Sequence, residues 1–412
     1  MTFFRSRWVD KPGHATEADP AALPQGFRAA GVAAGIKPEG LDVGLLVSDS
    51  EETVSAARFC HSALLGAPVV ASQEANTAAL RAIVASSGNA NVADGERGLA
   101  TARAGQQSAA DALGLAPDQV GIAATGVIGR ELPRERLTEG VAQAAAGLTN
   151  DADSFTRSIM TTDRAPKRAC LEVDLPRGRV RLAAQAKGAG MIQPNFATMF
   201  CFMQTDAAMA QETVELLTGV CVKRSFDRIS VDGQLSTSDT VIVMANGASG
   251  VPVEPESADE LAFGEALDAV MRQLAFEIVA DGEGAQRVGR IVVRGAPELV
   301  DPVARAVANS PLVKTQLHGA DPNFGRILQS AGQALAGTGA PFLVDLEIEG
   351  QQVVSGGQVV PLDDGEFAKL EQAVTRDQVE YVLTLPGEEG ETEVFFSDLS
   401  HEYVTINSEY TT

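Results

Sequence analysis

Short apolar runs alternate along the chain with longer stretches whose apolar positions recur at helical spacing. Residues 43–47, 82–85, 120–124, 180–184, 199–203, 240–244, 290–293 and 342–348 read as strands. Residues 94–114 predict a helix, with Asp94 placed to cap its start and Gly114 to end it. Leu99, Ala102, Ala109, Ala110 and Leu113 would share one face of it. A second helix, residues 258–280, is better marked. Ser257 and Glu260 form a capping-box pattern, and Leu267, Val270, Met271, Leu274 and Ile278 follow the helical period. Strands and helices mixed in this way predict an α/β or α+β protein, its sheets covered by helices. The sequence contains no internal repeat and no obvious linker, so composition alone places no domain boundary.

A chain of 412 residues is long enough for two lobes. Aromatic residues make up only 5% while alanine and glycine abound, so packing should rely on small side chains and close backbone approach. The net charge of -23 argues against nucleic acid or an anionic membrane surface as partner, since both need clustered positive charge. Four widely spaced cysteines without a C-x-x-C pair predict neither a disulfide framework nor a structural zinc site, and fit a reducing cytoplasm. The first twenty residues lack the apolar region of a secretory signal, and no stretch approaches the roughly 18 apolar residues of a membrane span. Residues 1–23 read as a loosely ordered leader, with Pro24 beginning the compact chain.

One segment concentrates candidate chemistry: Lys187-Gly-Ala-Gly-Met-Ile-Gln-Pro-Asn-Phe-Ala-Thr198-Met-Phe-Cys-Phe-Met. Its glycines permit positive φ and close approach, which suits a strained turn aimed at a cleft. A lone threonine opening a strand is ordinarily structural, so the reading depends on context. Four other polar, glycine-bearing segments supply it: Ala124-Thr-Gly-Val-Ile-Gly-Arg130, Val231-Asp-Gly-Gln-Leu-Ser-Thr-Ser-Asp-Thr240, Asp281-Gly-Glu-Gly-Ala285, and the stretch from Asn309 through Lys314 to Gly319-Ala-Asp-Pro-Asn-Phe-Gly-Arg326. Singly, each is a turn or a helix end.

Together and in this order, the segments resemble the ornithine acetyltransferase family, the bifunctional glutamate N-acetyltransferases of arginine biosynthesis. The resemblance runs from about Pro24 to Thr412, and includes Ser87-Gly-Asn-Ala-Asn91 and the terminal Tyr403-Val-Thr-Ile-Asn-Ser-Glu-Tyr-Thr-Thr412. It implies a two-lobed, layered helix–sheet–sheet–helix fold of the N-terminal-nucleophile type. It also implies that the chain cuts itself at Ala197–Thr198, giving an α chain ending at 197 (24–197 after the leader) and a β chain of 198–412, assembled as α₂β₂.

Thr198 would then be the nucleophile, with its own freed α-amino group, of pKa about 8, as base. The four histidines are not needed for such chemistry, and His318 is expected to be structural. By resemblance Thr125 and Gly126 supply the oxyanion hole, while Arg164, Lys187, Thr198, Glu283, Asn407 and Thr412 contact substrate. The substrates would be N-acetylornithine as acetyl donor and glutamate as acceptor, taken in turn by a ping-pong route. That route needs no bound coenzyme and no metal, and acetyl-CoA stays open as an alternative donor.

Three departures bear on the substrate. Family members usually carry Met-Thr-Thr-Asp-Thr where this chain has Met160-Thr-Thr-Asp-Arg164, so Arg164 either grips a more acidic substrate or points to solvent and leaves the contact to Thr162 or the backbone. Phe59-Cys-His-Ser-Ala63 and Gln234-Leu235 also differ from the usual residues. Two rival readings stand beside the transferase. One is an amidase or aminopeptidase using the same self-cut threonine; the other is an uncleaved, non-catalytic relative that binds amino acids.

Overall fold

A computed structural model describes residues 2–193 and 199–409. Two sheets stack face to face. The first has four strands in the order Phe27–Val32, Val43–Ser48, Ala82–Asn89, Val120–Val127, the last two parallel and the others antiparallel. The second has six, in the order Ala15–Glu17, Lys167–Leu175, Gly178–Lys187, Phe200–Thr205, Thr240–Ala245, Val54–Phe59.

Period-2 alternation sorts the side chains between layers. Leu46, Ile83, Ala85 and Ala123 of the first sheet meet Ala183, Phe200, Phe202, Ile242 and Met244 of the second in a buried apolar interface. Val43, Leu45, Val47, Val84 and Ile122 point the other way, onto the helices Ala67–Glu74, Gly95–Leu113 and Arg134–Ala146. The outer face of the second sheet packs on Gln211–Arg224 and Ala258–Ala280. The sandwich is therefore helix–sheet–sheet–helix. Both faces of each sheet are covered, which is why strands such as Val43–Ser48 are buried at every position and read as unbroken apolar runs. Each large apolar side chain fully buried there contributes about 1.5–3 kcal/mol.

A third sheet forms the second lobe. Its order is Ile229–Ser230, Gly390–Ser397, Val288–Gly295, Gln378–Thr384, Asp345–Ile348, Gln351–Ser355, Gln358–Val359. Helices Pro297–Asn309, Pro311–His318, Phe324–Leu335 and Asp364–Ala373 close its core. The predicted strand at 342–348 is shorter than expected: strand begins at Asp345, while Phe342 and Leu343 are exposed.

The Ala258–Ala280 helix joins the lobes. Ser257 Oγ accepts the Glu260 N–H at 3.1 Å, whereas the Glu260 carboxylate reaches Glu256 N rather than the cap residue. The Gly95–Leu113 helix ends as predicted on left-handed Gly114, but the Asp94 carboxylate turns to Arg97 and does not cap its start.

The expected leader over residues 1–23 is corrected. Trp8 stacks on Phe395 at 5.7 Å, Val9 is buried, and Ala15–Glu17 pairs with Lys167–Leu175. Two short apolar pairs, Phe3–Phe4 and Trp8–Val9, dock this segment onto the main core. Their spacing forms no apolar run, so nothing in the pattern signalled burial.

All four cysteines are free and buried. Burial pushes the Cys60 thiol up to about 11 and those of Cys170 and Cys221 to about 12. Among the described residues, no helix is long and apolar enough to cross a membrane.

Candidate active site

The ends of both stacked sheets open into a cleft of about 130 Å³ that includes Thr125, Gly126, Thr162, Lys187, Glu283 and Asn407 in its walls. Each arrives on a different element. Thr125 and Gly126 lie near the end of Val120–Val127, beside Ser87 and Gly88 of the parallel neighbour. Gly126 has φ +128°, and a Cβ there would sit 2.4 Å from the Gly88 carbonyl carbon. Only glycine fits, so its N–H can stand beside the Thr125 hydroxyl.

Lys187 ends its strand and is 2% exposed. Its Nζ donates to Thr125 Oγ1 at 3.2 Å and lies 6.0 Å from the centre of the Phe200 ring. Because the lysine donates, the threonine keeps its O–H hydrogen as a donor for the cleft. Burial lowers the Lys187 pKa, opposed chiefly by the charge of Asp163.

Asp163 is itself fully buried and accepts the Gly188 N–H at 2.8 Å and Lys167 Nζ at 2.6 Å. Burial would raise its pKa, but the charges of Lys167 and Lys187 hold it well below the usual carboxylate range. Lys167 reaches Asp281 as well, at 2.5 Å.

Glu283 sits in the turn that follows the Ala258–Ala280 helix, its N–H bonded to Ala189 O at 2.8 Å. Thr162 Oγ1 donates to one of its carboxylate oxygens and Asn407 Nδ2 to the other, both at 2.7 Å. Gly190 faces this carboxylate so closely that a Cβ would lie 2.6 Å from Glu283 Oε2. Tyr403 and Asn407, one turn apart on the helix His401–Glu409, both reach the cleft. The His401–Glu409 helix thus reaches the site through Asn407, its start held by Ser400 Oγ on Gly284 O at 2.8 Å.

Arg164 is not in the cleft wall. Its guanidinium pairs with Asp281 at 3.0 Å and donates to Ala280 O and Ala285 O, with more than half of the side chain in solvent. Arg164 thus has its partners at the Asp281 turn: a cation is favoured next to the carbonyl end of a helix and beside a carboxylate. Thr162 faces Glu283 instead. His318 likewise stands outside the cleft wall, its Nδ1 2.8 Å from Asp398 Oδ2. Ala197, Thr198 and Thr412 lie outside the described residues.

Immediately after the 194–198 stretch the strand register is fixed. Met199 N donates to Asp239 Oδ1 at 2.9 Å, and Thr240 N to Met199 O at 3.1 Å. Asp239 is buried, which raises its pKa well above the ordinary value, with the Lys187 charge opposing. Asp163, Asp232, Asp239 and Tyr403 all lie in the motifs noted in the sequence. Nothing there separated them from turn-forming neighbours, because their roles depend on which strand ends meet.

Fold and cleft together define a class: a layered α/β protein with a polar cleft that pairs a buried cation with a carboxylate and sets an alcohol beside a glycine N–H. Such a cleft can hold a small zwitterion and stabilise an oxyanion next to it. Residues 28–412 match the ArgJ family. An arginine biosynthesis bifunctional protein ArgJ of Symbiobacterium thermophilum is 40% identical over 94% of this chain and 98% of its own. The protein of that name from Thermus thermophilus is 41% identical over 95% of this chain and 99% of its own. Among solved structures, an ornithine acetyltransferase from Mycobacterium tuberculosis, complexed with ornithine, is 32% identical, with a TM-score of 0.41, over 44% of this chain and 97% of that one. The chain belongs to the ArgJ family.

Proposed function

We propose that this chain transfers an acetyl group from N-acetylornithine to glutamate, in arginine biosynthesis, through Thr198. It first cuts itself. The Thr198 hydroxyl adds to the Ala197 carbonyl, the peptide nitrogen leaves as an amine, and water opens the resulting ester. Chains of 197 and 215 residues result, and the second begins with a free α-amino group.

That amine takes the proton of the Thr198 hydroxyl as it attacks the acetyl carbonyl of the donor. The Thr125 O–H and the Gly126 N–H hold the tetrahedral oxyanion, a contribution of about 3–4 kcal/mol for one such donor. Ornithine departs with the proton, leaving acetyl-threonine. The α-amine of glutamate attacks this ester and restores the enzyme. Lys187 receives the α-carboxylate common to both substrates. Glu283, oriented by Thr162 and Asn407, receives the ornithine ammonium, and Thr162 takes the part expected of Arg164. Thr412 completes the substrate contacts.

The route uses no coenzyme or metal, and acetyl-CoA is an alternative donor. The chains assemble as α₂β₂ in the cytoplasm. The observation that carries this reading is the meeting of Thr125, Lys187, Glu283 and Asn407, from four distant stretches of sequence, in one cleft.

Intact mass of wild type and Thr198→Ala, followed by transfer from N-acetylornithine to glutamate, tests it. Two fragments divided at Ala197/Thr198 in wild type alone, with transfer, are expected. An uncut wild type would overturn the mechanism, and cutting without transfer would overturn the substrates.

A further inference from the structure

Asp232 lines the cleft, yet the acetyl transfer above gives it no task. Its carboxylate accepts three backbone N–H groups: Met191 at 2.6 Å, Ile192 at 2.9 Å and Gln234 at 3.1 Å. Met191 has φ +57°, a left-handed state that a residue with a Cβ does not hold without support. The stitching is reciprocal, since Ile192 O accepts the Val231 N–H at 2.9 Å. The 190–192 turn stands only a few residues before the bond to be cut.

The second lobe braces this clamp from behind. Ser397 Oγ donates to Val231 O at 3.2 Å, and Lys314 Nζ donates to Ser397 O at 2.8 Å. The Lys314 charge faces both Asp232 and Asp398. Asp398 is occupied by Gln286 N, Arg287 N and His318. From the C-terminal helix the Tyr403 hydroxyl faces Asp232, with Glu283 beyond it.

We propose that Asp232 is a positioning residue for self-cutting, holding the 190–192 turn, which precedes the Ala197–Thr198 bond in the chain, against the second lobe. The inference rests on the self-cutting reading above. A carboxylate offers acceptors on both oxygens. Protonation, or replacement by asparagine, turns one of the two sites into a donor and opens the clamp. Burial raises the Asp232 pKa, with the Lys314 charge opposing, so the clamp should loosen on the acid side of neutrality.

The test follows chains made by cell-free synthesis, by intact mass, from the end of synthesis between pH 5 and 8. Wild type should cut more slowly as the pH falls. Asp232→Asn should cut at least about tenfold more slowly at neutral pH, with an unchanged melting profile, and should lose that acid limb. Lys314→Met keeps the three hydrogen bonds, so it should cut normally at pH 8 with its acid limb moved to higher pH. Asp232→Asn cutting at the wild-type rate with the wild-type profile overturns the proposal. If that variant does not fold, an unmoved acid limb in Lys314→Met overturns it. An uncut wild type is a different failure, of the self-cutting reading itself, and takes this inference with it.

Discussion

Behind each wall of the cleft lies a buried lysine, Lys167 on one side and Lys314 on the other, and the two accommodate the charge in opposite ways. On the wall built from the second sheet, Lys167 touches two carboxylates, Asp163 and Asp281. Burial works against its charge, but these partners more than offset it and its pKa is raised. On the wall built from the second lobe, Lys314 is as thoroughly enclosed, yet its hydrogen bond goes to the neutral Ser397 carbonyl. Burial pushes Lys314 down to about 7, with Asp232 and Asp398 opposing at longer range. Burial alone therefore does not fix the charge of a lysine; carboxylates in direct contact do. Lys167 keeps its charge at any physiological pH, whereas Lys314 titrates.

The largest expected effect comes from breaking the paired wall. Lys167→Met would leave Asp163 buried with one lysine neighbour fewer and Asp281 with only the exposed Arg164. Removing one partner of a buried pair costs about 3–5 kcal/mol. Urea unfolding, run in a Thr198→Ala background so that the chain stays in one piece, measures it. A loss below about 1 kcal/mol, the size of an exposed pair, would end the contrast between the walls.

The titrating wall gives a smaller, graded effect. Lys314 has a folded pKa depressed to about 7, while the unfolded value is the ordinary one near 10.4. Between those values the unfolded chain binds a proton that the native chain has released. Stability from this group therefore rises with pH across that window and is level below it. The slope reaches about 1.4 kcal/mol per pH unit. Measured as the difference between wild type and Lys314→Met, stability should climb between pH 7 and 10.4; parallel profiles would mean that Lys314 stays charged.

Much of the sandwich could be read from sequence because burial on both faces writes itself into short apolar runs. The strands around residues 43–47, 82–85, 120–124 and 240–244, and the helix at 258–280, appear where the pattern put them. The N-terminal segment was misread because its buried side chains are scattered between charged ones, and their docking sites lie hundreds of residues away. At the cleft, Lys187, Glu283 and Asn407 could be named from motifs. Asp163, Lys167 and Asp232 could not, since each acts through a hydrogen bond or ion pair that exists only after distant strand ends meet.

Arg164 should produce the smallest effect, and it sharpens the comparison by testing where the paired wall ends. Its guanidinium adds a third contact to the Asp281 turn, but the side chain is 57% exposed. An exposed ion pair contributes about 0–1 kcal/mol, so Arg164→Thr should lower stability by no more than that. Its Nε and Nη2 donors already go to Asp281, Ala280 O and Ala285 O, and the side chain stands outside the cleft lining. Thr162, two residues earlier, already holds Glu283. Steady-state turnover with N-acetylornithine and glutamate should therefore leave kcat and both KM values within about twofold of wild type, the range of a substitution away from the site. A tenfold change in either KM would bring Arg164 back into the substrate site, and would make the outer end of the paired wall part of specificity rather than of stability.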